Sequence, residues 1–137
     1  MRSTSFKVAF VVSICFIVNG CNQDTYSRHF DRPPPNGSKL LNYEERRAGW
    51  NDMTYGFEFS VLDEALKNQL IIDCGLREDG HPGREVDLDE WSLTWWPVPG
   101  ERSRMEAYSW EDRQLEEYKC LWFDKERDRL YLQYGNW

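Results

Sequence analysis

Thr54-Tyr55-Gly56-Phe57-Glu58-Phe59-Ser60-Val61 decides the fold class, because Tyr55, Phe57, Phe59 and Val61 alternate with Thr54, Gly56, Glu58 and Ser60. Successive side chains of a strand point to opposite faces, so a period of two predicts a β-strand with one face buried. The C-terminal end repeats the signal. Cys120-Leu121-Trp122-Phe123, a polar turn from Asp124 to Asp128, and Leu130-Tyr131-Leu132-Gln133-Tyr134 read as an antiparallel hairpin.

Between these two anchors the pattern is mixed. Asp63 to Gln69 has helical composition, with Ser60 or Asp63 available as N-cap. After it, either Leu70, Ile72, Cys74 and Leu76 alternate as a strand, or Leu62 to Asp73 forms one amphipathic helix closed by Gly75. Glu78 to Gly83 is a loop by its turn residues. Trp91, Leu93 and Trp95 then point one way and Ser92, Thr94 and Trp96 the other, in a strand ended by Pro97-Val98-Pro99-Gly100. Residues 105–119 fit either a helix capped at Ser109 or a strand from Met105 to Trp110. The expectation is an α+β domain, mainly antiparallel sheet with one or two short helices and one disulfide. The alternative is an all-β sandwich.

The chain has 137 residues, and the 99 from Lys39 to Trp137 (137 less the first 38) suit one domain and one core. Residues 22–38 are polar, lack apolar periodicity and contain Pro33-Pro34-Pro35 before Asn36-Gly37-Ser38. They read as a tether stiffened by polyproline II geometry.

The first 20 residues carry Arg2 and Lys7, an uncharged stretch from Val8 to Val18, and Gly20 before Cys21. This is the layout of an export signal, and eleven apolar residues fall short of the roughly 20 that span a bilayer. Val18-Asn19-Gly20-Cys21 resembles the lipobox of bacterial lipoproteins, with an aliphatic residue at minus three, a small one at minus one and the cysteine; Asn19 departs from the pattern. The resemblance implies cleavage before Cys21, a lipid on that residue, and attachment to the cell envelope. Asn22 in place of aspartate implies the outer membrane, facing the periplasm. An ordinary secreted protein is the alternative. The organisation is then a leader over 1–20, a lipidated N-terminus and tether over 21–38, and a globular domain over 39–137.

Cysteine parity agrees with a lipid on Cys21, since Cys15 leaves with the leader and Cys74 and Cys120 remain. A Cys74–Cys120 disulfide is expected in an oxidising compartment, where closing such a loop stabilises by roughly 4 kcal/mol.

The exported part holds 15 basic and 24 acidic residues, Arg2 and Lys7 being removed from the total of 17 basic residues, so its net charge is −9. Such a charge excludes nucleic acid as a natural partner and repels anionic lipid, leaving the lipid anchor as the membrane contact.

Catalytic chemistry has little to stand on. His29 lies in the tether and His81 in a Gly-Pro loop, without the spacing of a zinc site, and no cofactor motif occurs. Asp87 with Asp89, and Glu116 with Glu117, are carboxylate pairs of the type glycosidases use; Asp79, Asp87, Asp89 and Glu90 are a sparse calcium set. In so acidic a chain such pairs are expected as a solvated face.

The 7 tryptophans are the remaining signal. Trp91, Trp95 and Trp122 are expected in the core, whereas Trp96, on the polar side of its strand, and the terminal Trp137 are the candidate binding residues. The function expected is a non-enzymatic protein-binding module, in the manner of an immunity or inhibitor protein against a basic partner. Carbohydrate or peptidoglycan binding through an aromatic ledge is the alternative.

The lipobox reading has a direct test. Cys21→Ala should move the protein from the membrane to the soluble fraction, and retention in the membrane would overturn lipidation.

Overall fold

The computed structural model describes residues 25–48, 52–79 and 93–136. The chain divides into two units, residues 1–34 and 35–137. In the first, a short helix α1 covers residues 25–30, with the Tyr26 and Phe30 rings 4.6 Å apart. Part of the segment expected as an extended tether is therefore helical. The lipobox with Cys21 lies outside the described residues.

The second unit is built on a six-stranded antiparallel sheet. In chain order its elements are β1 (Ser38–Ala48), β2 (Asp52–Val61), α2 (Ala65–Cys74), β3 (Arg77–Glu78), α3 (Pro99–Arg102), β4 (Glu106–Asp112), β5 (Glu117–Asp124) and β6 (Arg129–Asn136). The strands lie in the order β1-β2-β6-β5-β4-β3, each neighbour antiparallel. The expectation of a mainly antiparallel sheet with short helices holds, as one sheet and not a sandwich of two. The alternating segment Thr54–Val61 is the body of β2, and the C-terminal hairpin is β5 and β6.

Both open alternatives resolve by local chemistry. The stretch expected as a helix from Leu62 to Asp73 is helical from Ala65 to Cys74, with bends at residues 62–64, and Gly75 closes it at a φ of 64°, the left-handed conformation a helix stop requires and glycine adopts without steric cost. Asp63 Oδ1 accepts the Ala65 N–H at 2.8 Å, which satisfies one donor of the first turn. Residues 105–119 take the strand choice as β4, a turn and the start of β5. That turn is fixed by Asp112 Oδ1, which accepts N–H groups of Gln114 and Leu115 at 2.9 and 3.1 Å.

The sheet has apolar material on both faces. Paired residues share a face, so Phe59, Leu130, Phe123 and Glu106 form one cross-strand row, and Phe57, Leu132, Leu121 and Tyr108 the next. Helix α2 lies over this face: Lys67 Nζ sits 4.8 Å from the Phe123 ring centroid and bonds Glu106 at 3.0 Å and Glu64 at 2.9 Å. Leu66 and Leu70 of α2 are buried. Removing two such side chains from water stabilises by about 1.5–3 kcal/mol each. Burial lowers the Lys67 pKa, but its bonds to the two glutamates outweigh that and raise it, so Lys67 stays a cation under the helix.

On the opposite face, Trp96, Ala107, Tyr118, Cys120, Trp122 and Tyr131 form a second buried cluster, with Leu93, Trp95 and Met105 packed against it. Gly135 completes that region, because a Cβ there would collide with the Met53 carbonyl of the neighbouring strand.

Cys74 and Cys120 form no disulfide, which corrects the expected bridge. The reason is the strand period. Lys119 and Leu121 face the α2 side of the sheet, so Cys120 between them faces the other and is buried in the Trp96 cluster. Cys74 ends α2 on the first side. The sheet stands between the two sulfurs. With Cys21 blocked and the leader removed, the denatured protein should titrate two thiols without reductant, Cys120 only after unfolding; no reactive thiol would restore the disulfide.

Candidate functional site

Trp96 was the leading binding candidate from sequence, and the structure corrects its surroundings. It is 6% exposed. Residues 93–96 form a turn instead of a strand, so the alternation that aimed Trp96 at solvent does not apply. Its ring meets Trp95, Trp122 and Tyr131 edge to face at 5.6, 5.7 and 5.7 Å, arrangements that aromatic quadrupoles favour. Trp122 is buried as expected and Trp95 is partly buried.

Trp91, Trp137, His81, Asp87, Asp89 and Glu90 lie outside the described residues. Glu116 and Glu117 sit at the exposed β4–β5 turn, with Glu116 in a left-handed conformation at φ 54°. His29 is on α1, and Asp79 accepts a bond from Ser109 Oγ at 2.7 Å. Among the described residues no three His, Cys, Asp or Glu side chains gather as a metal site.

The structure assembles a different candidate on the α2 face. One cross-strand row runs Glu45, Tyr55, Tyr134, Lys119, Trp110 over β1, β2, β6, β5 and β4. Every aromatic in it is half-buried. Tyr55 and Tyr134 stack with centroids 4.7 Å apart and planes at 26°, and Lys119 Nζ lies 4.5 Å from the Trp110 centroid. Beside them a cleft of about 320 Å³ is lined by Met53, Tyr55, Lys119, Tyr134 and Asn136, among others.

The C-terminal end of α2 reaches this row, since Gly75 lies beside the Trp110 ring and the Lys119 charge acts on the Cys74 thiol.

The chemistry here is that of recognition. Burial, and then the phenols of Tyr55 and Tyr43, push the Tyr134 hydroxyl pKa up, so it stays neutral. Burial and a 2.9 Å bond to Glu45 do the same for Tyr43. Neutral phenols donate and accept, Lys119 adds a cation, and Glu45 an anion. Burial also raises the Cys74 thiol, the reverse of what a nucleophile needs.

Sequence periodicity places Tyr55 on the buried face of its strand and Tyr134 in the C-terminal hairpin, without the register that joins them in one row. The chain matches no protein-family model, no curated protein and no solved structure.

Trp96→Ala distinguishes a core residue from a contact residue. Removing a buried tryptophan should cost about 3–5 kcal/mol in denaturant unfolding, a large share of a small domain's stability. An unchanged unfolding midpoint would place Trp96 at the surface.

Proposed function

We propose that this is an envelope lipoprotein, anchored through Cys21 at the outer membrane and facing the periplasm, that acts as a non-enzymatic protein-binding module. Its docking surface is the Tyr55–Tyr134–Lys119–Trp110 row. An immunity or inhibitor role against a basic partner is the form that suits the net charge of −9 in the exported part.

The observation that carries protein over glycan is the use of the ring faces. Sugars stack on exposed aromatic faces. Here Tyr55 and Tyr134 turn their faces to each other, and Lys119 covers that of Trp110. What the row offers outward is ring edges, phenol hydroxyls and a cation, the mixture that protein interfaces favour.

The test compares the full chain with a Trp110→Ala, Lys119→Glu variant in two assays, capture of envelope proteins and sedimentation with purified peptidoglycan. The variant should weaken capture of one specific protein at least tenfold, about 1.4 kcal/mol, and neither form should sediment with peptidoglycan. Sedimentation of the wild type that the variant abolishes would replace this reading with carbohydrate binding.

A further inference from the structure

The β1 edge, which adjoins the aromatic row at Glu45, carries an inference that rests on different observations. Among the described residues β1 pairs with β2 alone, so its other side is a border of the sheet. Backbone directions along that border follow from the ladder. Val61 N–H donates to the Asp128 carbonyl at 3.1 Å, one step beyond the Ser60–Arg129 pair, so odd-numbered residues of β2 bond toward β6 and even-numbered ones toward β1. Asn42, Glu44 and Arg46 lie opposite Glu58, Gly56 and Thr54 and bond inward. Tyr43, Glu45 and Arg47 therefore turn N–H and C=O away from β2.

A bulge between Leu40 and Asn42 interrupts β1, and the straight part that follows, Asn42 to Ala48, is centred on Glu45. Its charges read Glu44-Glu45-Arg46-Arg47. Edge strands are commonly protected by charge, proline or a bulge. This one carries charge of both signs, so an antiparallel copy centred on Glu45 sets Glu44 opposite Arg46 where a one-sign edge would repel.

We infer that the β1 edge is a self-association surface, on which a second copy of this chain pairs its β1 antiparallel about a twofold axis at Glu45. Both sheets then join into one. The twofold sets Glu44 opposite Arg46 of the partner copy, twice. Glu44 and Arg46 already bridge at 2.7 Å within one strand, so the four side chains close a square of alternating charge on one face. On the other face Tyr43 stands opposite the partner copy's Arg47, and the two central Glu45 carboxylates each have an Arg47 on either side. Tyr43, Glu45 and Arg47 are also the residues whose backbone groups face outward, so the register supplies a continuous ladder. Moving the axis to Arg46 would shorten the overlap, and at Glu45 the two facing carboxylates are offset by the flanking Arg47 pair.

The experiment uses full-length chains with two different tags, purified in detergent and mixed. Wild type should co-purify with itself and dissociate on dilution. Glu44→Arg with Glu45→Arg makes an all-basic edge, and Arg46→Glu with Arg47→Glu an all-acidic one. Each should lose self-pairing at least tenfold, and mixing the two should restore it as a heterodimer. Glu45→Pro removes the outward N–H while sparing the bonds to β2, and it should abolish pairing with unchanged near-UV circular dichroism; it decides the matter if the charge variants fail to fold. Wild type that stays monomeric at every concentration would overturn the inference. So would dimers that survive in both charge variants or in Glu45→Pro, since the contact would then lie elsewhere.

Discussion

Everything in the second unit depends on the alternation of side chains along β2, β6 and β5, three of the four strands with a neighbour on each side. Because each residue is committed to one face, Phe57, Phe59, Leu121, Leu130 and Leu132 go to the α2 side, and Tyr118, Cys120, Trp122 and Tyr131 to the other. Two cores result, separated by one backbone layer. A shift of one residue in any register would exchange them, so each core holds the register on which the other depends.

The two cores differ in chemistry, and this shapes what each face can do. The α2 side is aliphatic and phenyl-rich, closed by a helix whose Lys67 reaches Glu106. Pairing pulls the Glu106 carboxyl pKa down, chiefly through its bond to Lys67, while Lys67 is raised. A carboxylate with a depressed pKa stabilises above its unfolded value and loses that contribution as pH falls through the folded one. A lysine with a raised pKa stabilises below its unfolded value and loses it as pH rises through the folded one. The contact therefore works across the neutral range and fails at both extremes. The Trp96 side mixes rings with polar groups. Buried Glu58 takes a Tyr131 hydroxyl and lies near Arg129, while Gln133 Nε2 donates to the Tyr118 hydroxyl at 3.2 Å. Burial, then the charge of Glu58, pushes Tyr131 up to about 12. Glu58, Gln133, Tyr118 and Tyr131 thus have partners, as buried polar groups require.

Function, on the proposed reading, gathers where neither core is complete. The aromatic row meets the C-terminal end of α2, and the β1 edge lies at the border of the sheet. The row presents side chains of β2, β6, β5 and β4, and the self-pairing uses the backbone and charges of β1, with Glu45 at the boundary of the two.

The sequence by itself determined β2 and the C-terminal hairpin of β5 and β6, whereas the mostly polar β1 was not legible in it. Alternation at Thr54–Val61 and in the C-terminal hairpin is local, and a period of two survives whatever packs above it. Gly75 likewise announced a helix stop, because the left-handed conformation it supplies is a property of one residue. The tertiary structure decided the rest. Whether Cys74 could reach Cys120 depended on which side of the sheet α2 crosses, a fact absent from either cysteine's neighbours. Trp96 was misplaced because its short run mimics a strand, while the pull of Trp122 and Tyr131 turns the chain and buries it. Tyr55 and Tyr134 became a candidate site only through strand register, since periodicity tells which face a residue occupies and register tells which residues of the other strands stand beside it.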